Sequence, residues 1–167
     1  MSALRRFVAV ALVAAALGAC GSDDGLDQAS GKIELIKSER IPAEVMGLKV
    51  QSEDVSKTLS EVERSWAEGV GLYSFRREEL VQATLQINRF NDNADYEKSG
   101  FRRQILQQIG GTQPRQVQVG EEDVWITQST KQTLAIWFEG EHLFVLSIRQ
   151  DFERPRSLLR AALELEV

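Results

Sequence analysis

The sequence predicts an α+β domain, an antiparallel meander sheet covered by helices on both faces. Three observations lead there. Between Arg115 and Gln150, four strand-like runs follow one another with only short turns between them, which is the mark of antiparallel neighbours. Two of these runs are apolar on both sides: Leu134, Ile136 and Phe138 alternate with Ala135 and Trp137, and Phe144, Leu146 and Ile148 alternate with Leu143, Val145 and Ser147. A sheet with two apolar faces needs cover on both, and three stretches of helical spacing are there to supply it.

The elements follow in order. Residues 52–68 read as a helix, because Val55, Leu59, Val62 and Trp66 recur at helical spacing, Ser52 is a good N-cap and Gly69 ends the run. Leu72-Tyr73-Ser74-Phe75 is short and strand-like. From Leu80 to Phe90, Val81, Ala83, Leu85 and Ile87 alternate with Gln82, Thr84, Gln86 and Asn88, the pattern of a half-buried strand with one wet face. A second helix is predicted over 94–109. There Phe101, Ile105 and Ile109 are spaced by four, Asp92 or Asn93 can cap the start, and Gly110-Gly111 stops it. The meander comprises 116–119, 124–128, 134–139 and 143–149, with turns at Gly120, around 129–132 and at Glu139-Gly140-Glu141. Pro155 suits the first turn of a last helix, with Leu158, Leu159, Ala162 and Leu163 along one side.

The N-terminus carries a different kind of signal. Arg5 and Arg6 precede an apolar run from Phe7 to Leu17, and Leu17-Gly18-Ala19 leads into Cys20, the only cysteine of the chain. Spanning a bilayer takes about 20 apolar residues; this run is roughly half that, and Asp23 and Asp24 lie just behind it. An unpaired thiol in an exported protein also needs an explanation. Residues 1–20 resemble the leader of a bacterial lipoprotein precursor, with Leu-Gly-Ala-Cys as its lipobox. The resemblance implies cleavage before Cys20, diacylglycerol on its thiol and anchoring to the cell membrane. Two acyl chains suffice for a stable anchor where one does not. Gly21 and Ser22, rather than Asp, follow the cysteine, which in a diderm host implies the outer membrane.

The resulting organisation is a signal peptide at 1–19, a lipidated cysteine with a small, polar tether at 20–32, and one domain at 33–167. Loss of the leader removes Arg5 and Arg6 and no acid, leaving 18 Lys and Arg against 25 Asp and Glu, a net charge of −7. So acidic a surface excludes nucleic acid as a partner. From Leu72 to Leu165 the element order is similar to that of PsbP-like domains, which recur in exported bacterial lipoproteins. That resemblance implies a non-enzymatic binding or assembly role.

Residues able to do chemistry are few. His142 is the one histidine and falls in a predicted hairpin turn, with no Gly-x-Ser-x-Gly elbow to go with it. Zinc needs four Cys or His ligands, which the mature chain lacks. Asn91-Asp92-Asn93-Ala94-Asp95 spaces oxygens like a calcium loop, but Tyr96 stands where glycine should turn the chain and Arg102 where the bidentate glutamate belongs. Glu121-Glu122-Asp123 reads as a solvated turn, and Gly69-Val70-Gly71 lacks the third glycine of a dinucleotide loop. No catalytic residue, metal or cofactor is expected. Trp66 and Trp137 are assigned to the core, while Trp125 has apolar neighbours on the other side of its strand and can face either way.

Arginine clusters are the more suggestive feature. Arg76-Arg77, Arg102-Arg103, and Arg149 with Arg154, Arg156 and Arg160 stand out on an acidic protein, and arginine grips carboxylate or phosphate bidentately. Their interleaving with Glu78, Glu79, Asp151 and Glu153 equally suits surface ion pairs. The expected interaction surface is Arg149, Arg154 and Arg156 with the hairpin turns around Gly120 and Gly140. The function expected is a membrane-anchored, non-enzymatic module that binds an envelope protein or a small ligand. A carboxylate-dependent envelope hydrolase and a lipid carrier are the alternatives.

Overall fold

The computed structural model describes residues 33–37, 40–53, 61–111 and 114–165. The leader, Cys20 and the tether lie outside the described residues, as do Val55 and Leu59 of the first expected helix. In chain order the elements are β1 (Glu34–Leu35), β2 (Glu44–Val45), β3 (Leu48–Glu53), α1 (Glu61–Trp66), β4 (Ala67–Arg77), β5 (Leu80–Phe90), α2 (Ser99–Gly110), β6 (Arg115–Val119), β7 (Glu122–Gln128), β8 (Gln132–Glu139), β9 (His142–Arg149) and α3 (Pro155–Leu163). All the strands join one sheet in the order β2-β3-β4-β5-β9-β8-β7-β6, with β1 added beside β4.

This architecture overturns the expected α+β domain with helices over both faces. A nine-stranded, almost wholly antiparallel sheet dominates the molecule, and helices cover only parts of it. The physical reason lies in the first half of the chain. Of the helix expected over 52–68, residues 61–66 form as α1, but 52–53 end β3 and 67–68 open the 11-residue β4, which pairs with β3 on one side and β5 on the other; residues 54–60 lie outside the described residues. Gly69 does not stop the helix, which already ends at Trp66; it and Gly71 have another role. They sit in β4 where β1 passes, and a Cβ on Gly71 would come within 2.8 Å of the Ile36 carbonyl oxygen. The glycines are contact residues, because only a residue without Cβ admits a backbone so close. Ile36 N–H donates to the Val70 carbonyl at 2.7 Å, which makes β1 a parallel partner on the same edge of β4 that β3 occupies further along.

Residues 80–90 and the four meander strands form as expected. Gly120 and Gly140, at φ +66° and +54°, are the first loop residues of two-residue hairpins, where a positive φ is required. Helix α2 starts at Ser99, later than the spacing suggested, and Lys98 precedes it without a side-chain cap. Asn91, not Asp92 or Asn93, organises the turn ahead of it: its Oδ1 accepts from Asn93 N–H and its Nδ2 donates to the Ser65 carbonyl, both at 3.1 Å. Helix α3 begins at Pro155 and buries Leu158, Leu159 and Ala162.

Two cores lie on opposite faces. Beneath α3, Leu48, Phe75, Leu85, Leu146 and Trp137 belong to one layer, with Trp137 stacked on Phe144 at 5.0 Å. Beneath α2, Phe90 gathers Trp66, Tyr96, Phe101 and Phe138 around it, and Ile105 and Leu106 close over Ile136 and Leu143. Arg102 lies over the Phe138 ring at 5.0 Å and its Nε donates to the Tyr96 carbonyl. Trp125 turns to this second face and meets Phe138 edge-on. This packing locks α2 over the β7–β8–β9 end of its face only.

Candidate functional site

The other half of the α2 face is polar. Phe90 points into the α2 core, while Ala83, Leu85 and Ile87 point under α3, so alternation places Gln82, Thr84, Gln86 and Asn88 on the α2 side. Strand pairing extends this into rows. Gln51, Ser74, Thr84 and Ser147 stand side by side on β3, β4, β5 and β9, and Glu53, Leu72, Gln86 and Val145 form the next row. Neighbouring strands are about 4.8 Å apart, so the first row is a continuous line of one carboxamide and three hydroxyls, and in the second Glu53 and Gln86 alternate with Leu72 and Val145; together they make a mainly polar band.

The band is only partly the wet surface that the alternation of β5 suggests: Gln51 is exposed and Thr84, Gln86 and Ser147 are half-buried, but other members are shut off from water. Asn88 is 0% exposed, Ser74 2%, Gln82 9% and Glu63, brought over from α1, 8%. Buried polar groups need partners, and most have them. Gln86 Nε2 donates to Glu63 Oε1 at 3.3 Å and to Asn88 Oδ1 at 3.1 Å. Ser74 Oγ donates to Glu53 Oε1 at 3.0 Å and accepts from Arg76 Nε at 3.2 Å. Ser147 Oγ donates to Gln132 Oε1 at 2.9 Å. Asn88 Nδ2 is the exception, buried with no acceptor among the described residues. The Trp66 indole N–H is similarly orphaned, but within the aromatic packing around Phe90.

The residues singled out from the sequence are scattered by comparison. Arg149 ends β9 beside Gln132, at the rim of the band. Asp151 holds it through two hydrogen bonds of 2.9 and 2.5 Å, so hydrogen bonding to the guanidinium keeps the Asp151 carboxyl below its ordinary range. Arg154 and Arg156 are exposed at the start of α3, the helix of the opposite face, and among the described residues neither forms an ion pair. The hairpin turns at Gly120 and Gly140 lie at the other end of the sheet. Along β9, His142 and Arg149 are separated by about 23 Å. The expected surface of three arginines and two turns therefore does not exist as one patch.

His142 is not the free turn residue that its position suggests. It opens β9 opposite Arg89 and Glu139, half-buried with its ring 6.1 Å from Phe144. Burial pushes its pKa below the ordinary value, with the Arg89 charge adding to the effect and Glu141 and Glu139 opposing it. Among the described residues, no group of three or more His, Cys, Asp or Glu side chains is placed to hold a metal ion, and no helix is long and apolar enough to cross a membrane. An open hollow of about 400 Å³ lies between the β2 turn and the end of α3, lined by residues that include Arg40, Glu44, Val45 and Glu164.

No protein-family model, curated protein or solved structure matches the chain. Fold order carries no chemistry, so function has to be argued from the band. Sequence reasoning missed the band because each of its residues is ordinary alone. The signal available was the run Gln82, Thr84, Gln86, Asn88, whose carboxamides exceed what a solvated strand face needs.

Proposed function

We propose that this chain is a non-enzymatic binding module, exported and held at a membrane by lipid on Cys20, whose ligand is taken up by the polar half of the α2 face. The lipid part rests on the Leu-Gly-Ala-Cys leader. Asn88 carries the ligand part: its Nδ2 is removed from water and has no acceptor among the described residues. Leaving a buried donor unmet costs about 1–3 kcal/mol, and a ligand acceptor would relieve that cost. Carboxamides present donors and acceptors at once without net charge, which suits a neutral ligand rich in hydroxyls and amides. A carboxylate-dependent hydrolase works with two carboxyl groups across a cleft; Glu63 is the one buried carboxylate among the described residues.

The test titrates the isotope-labelled Cys20→Ala chain with uncharged oligosaccharides of N-acetylglucosamine, which carry both hydroxyls and amides. Side-chain amide signals of Gln82, Gln86, Asn88 and Gln132 should shift together, and Asn88→Leu should abolish the effect. Unmoved carboxamide signals at millimolar ligand would remove the ligand reading. Separately, Cys20→Ala should release the chain from membranes on fractionation; unchanged retention would remove the lipid.

A further inference from the structure

Strand β6 ends the sheet. It pairs with β7 on one side, and among the described residues no strand lies on the other. The opposite edge is blunted, since β2 is only two residues long, a usual protection against edge-to-edge association. β6 has five residues, and Arg115, Gln116 and Gln118 are exposed.

Its register determines what the free edge offers. Val119 and Glu122 close a two-residue hairpin whose first loop residue is Gly120. In such hairpins the closing pair exchanges hydrogen bonds, and the pattern then alternates. Arg115, Val117 and Val119 therefore turn their backbone groups toward β7. The N–H and C=O groups of Gln116 and Gln118 point outward. Pro114, which has no N–H to donate, bounds this edge at one end, and the Gly120 turn bounds it at the other.

Charge is distributed unevenly along the same hairpin. Arg115 stands at one end, while Glu121, Glu122 and Asp123 stand at the other, all exposed. Among the described residues none of the four has an ion-pair partner. A strand that is basic at one end and acidic at the other is complementary to itself when reversed.

We propose that β6 is the interface between two copies of this chain, which pair antiparallel about a two-fold axis through Val117. In that register Gln116 of one copy lies opposite Gln118 of the other, so every outward backbone group of both residues is met. Arg115 falls opposite Val119 and within reach of the acidic turn. The Gln116 and Gln118 carboxamides face each other on the α2 side, and the two Val117 side chains meet on the α3 side, where Val117 already packs at the margin of the core. The two-fold makes the contact isologous and closed, so it yields a dimer and not a fibre. This pairing does not depend on the polar band or its ligand.

Sedimentation velocity across a concentration series, with the Cys20→Ala chain, tests the proposal. The chain should be a concentration-dependent dimer. Val117→Cys in that background provides the only thiol, and mild oxidation should link two copies quickly, because paired residues that exchange no hydrogen bonds sit about 4.5 Å apart at Cα. Gln118→Pro removes an outward N–H and should leave a folded monomer. If it unfolds, Gln116→Lys with Gln118→Lys sets like charges opposite each other and should weaken the dimer about tenfold. Arg115→Glu should weaken it, and adding Glu121→Arg should restore it. A monomer at every concentration, or a dimer indifferent to all these changes, would overturn the proposal. A strand from another protein as occupant would show itself as a monomeric chain without the Val117→Cys cross-link.

Discussion

On the α3 face, Leu48, Phe75, Leu85, Leu146 and Trp137 carry one hydrocarbon layer across β3, β4, β5, β9 and β8. On the reverse of the same sheet, β4, β5 and β9 carry Ser74, Gln82, Gln86, Asn88 and Ser147, and apolar packing is confined to the end under α2. The strands are shared, so the difference arises from which side of each pleat the hydrocarbon occupies. One continuous apolar face and half of another are enough to drive this fold. The remaining half-face is spared from that duty, and it holds Ser74, Gln82 and Asn88 away from water at a cost in desolvation.

The contrast can be broken most directly by deletion. Leu146→Ala empties a fully buried site in the α3 layer and should cost about 3 kcal/mol in urea unfolding, whereas Thr84→Ala in the polar band should cost less than about 1. Equal losses would mean that both faces hold the fold alike.

A smaller effect of opposite sign sharpens the comparison. Asn88→Leu removes an unmet buried donor while Gln86 keeps Glu63 as its acceptor, so stability should stay level or rise by about 1 kcal/mol. A loss above about 2 kcal/mol in the same unfolding assay would make Asn88 a structural group.

The third test is a pH dependence. Because burial lowers the folded-state pKa of His142, the unfolded chain binds more protons in the interval between the two values. The contribution of His142 is intact above the unfolded value of 6.5 and is lost as pH falls below it toward the folded value. The unfolding temperature should fall more steeply between about pH 7 and pH 5 than it does in His142→Gln. Parallel curves for the two proteins would remove His142 from the acid response.

Least of all should follow from Arg149→Ala. Its pair with Asp151 is exposed at the rim of the band, and such pairs contribute little. A double-mutant cycle with Asp151→Ala should show no measurable coupling in stability.

Legibility from the sequence divides along the chain. The meander could be read because each strand alternates cleanly and its glycine turns announce two-residue hairpins, both local signals. The first half misleads because Gly69 and Gly71 serve a contact with Ile36, more than 30 positions away, which no window along the chain contains. The polar band was half legible. The period-two pattern of β5 put Gln82, Thr84, Gln86 and Asn88 on one face, but the burial of Gln82 and Asn88 and the bond from Gln86 to Glu63 of α1 are tertiary facts that the pattern does not contain. Arg149 was singled out for its charge, and the neighbour that occupies that charge, Asp151, was in view as its competing explanation.

The joining of β1 to β4 has a mechanical consequence. The segment around β1 is held to the domain by the Ile36–Val70 hydrogen bond, by the Tyr73 hydroxyl donating to the Ile36 carbonyl, and by Arg89, which bridges Glu34 of β1 to Glu68 of β4. Tension applied to the chain at Ile33 loads this attachment before any pairing among β3, β4, β5 and the meander. Detaching β1 would pay out residues 34–41, roughly 25 Å of extra reach when extended, while the rest of the sheet keeps its ladder. The domain thus meets a sudden pull with a short sacrificial slack.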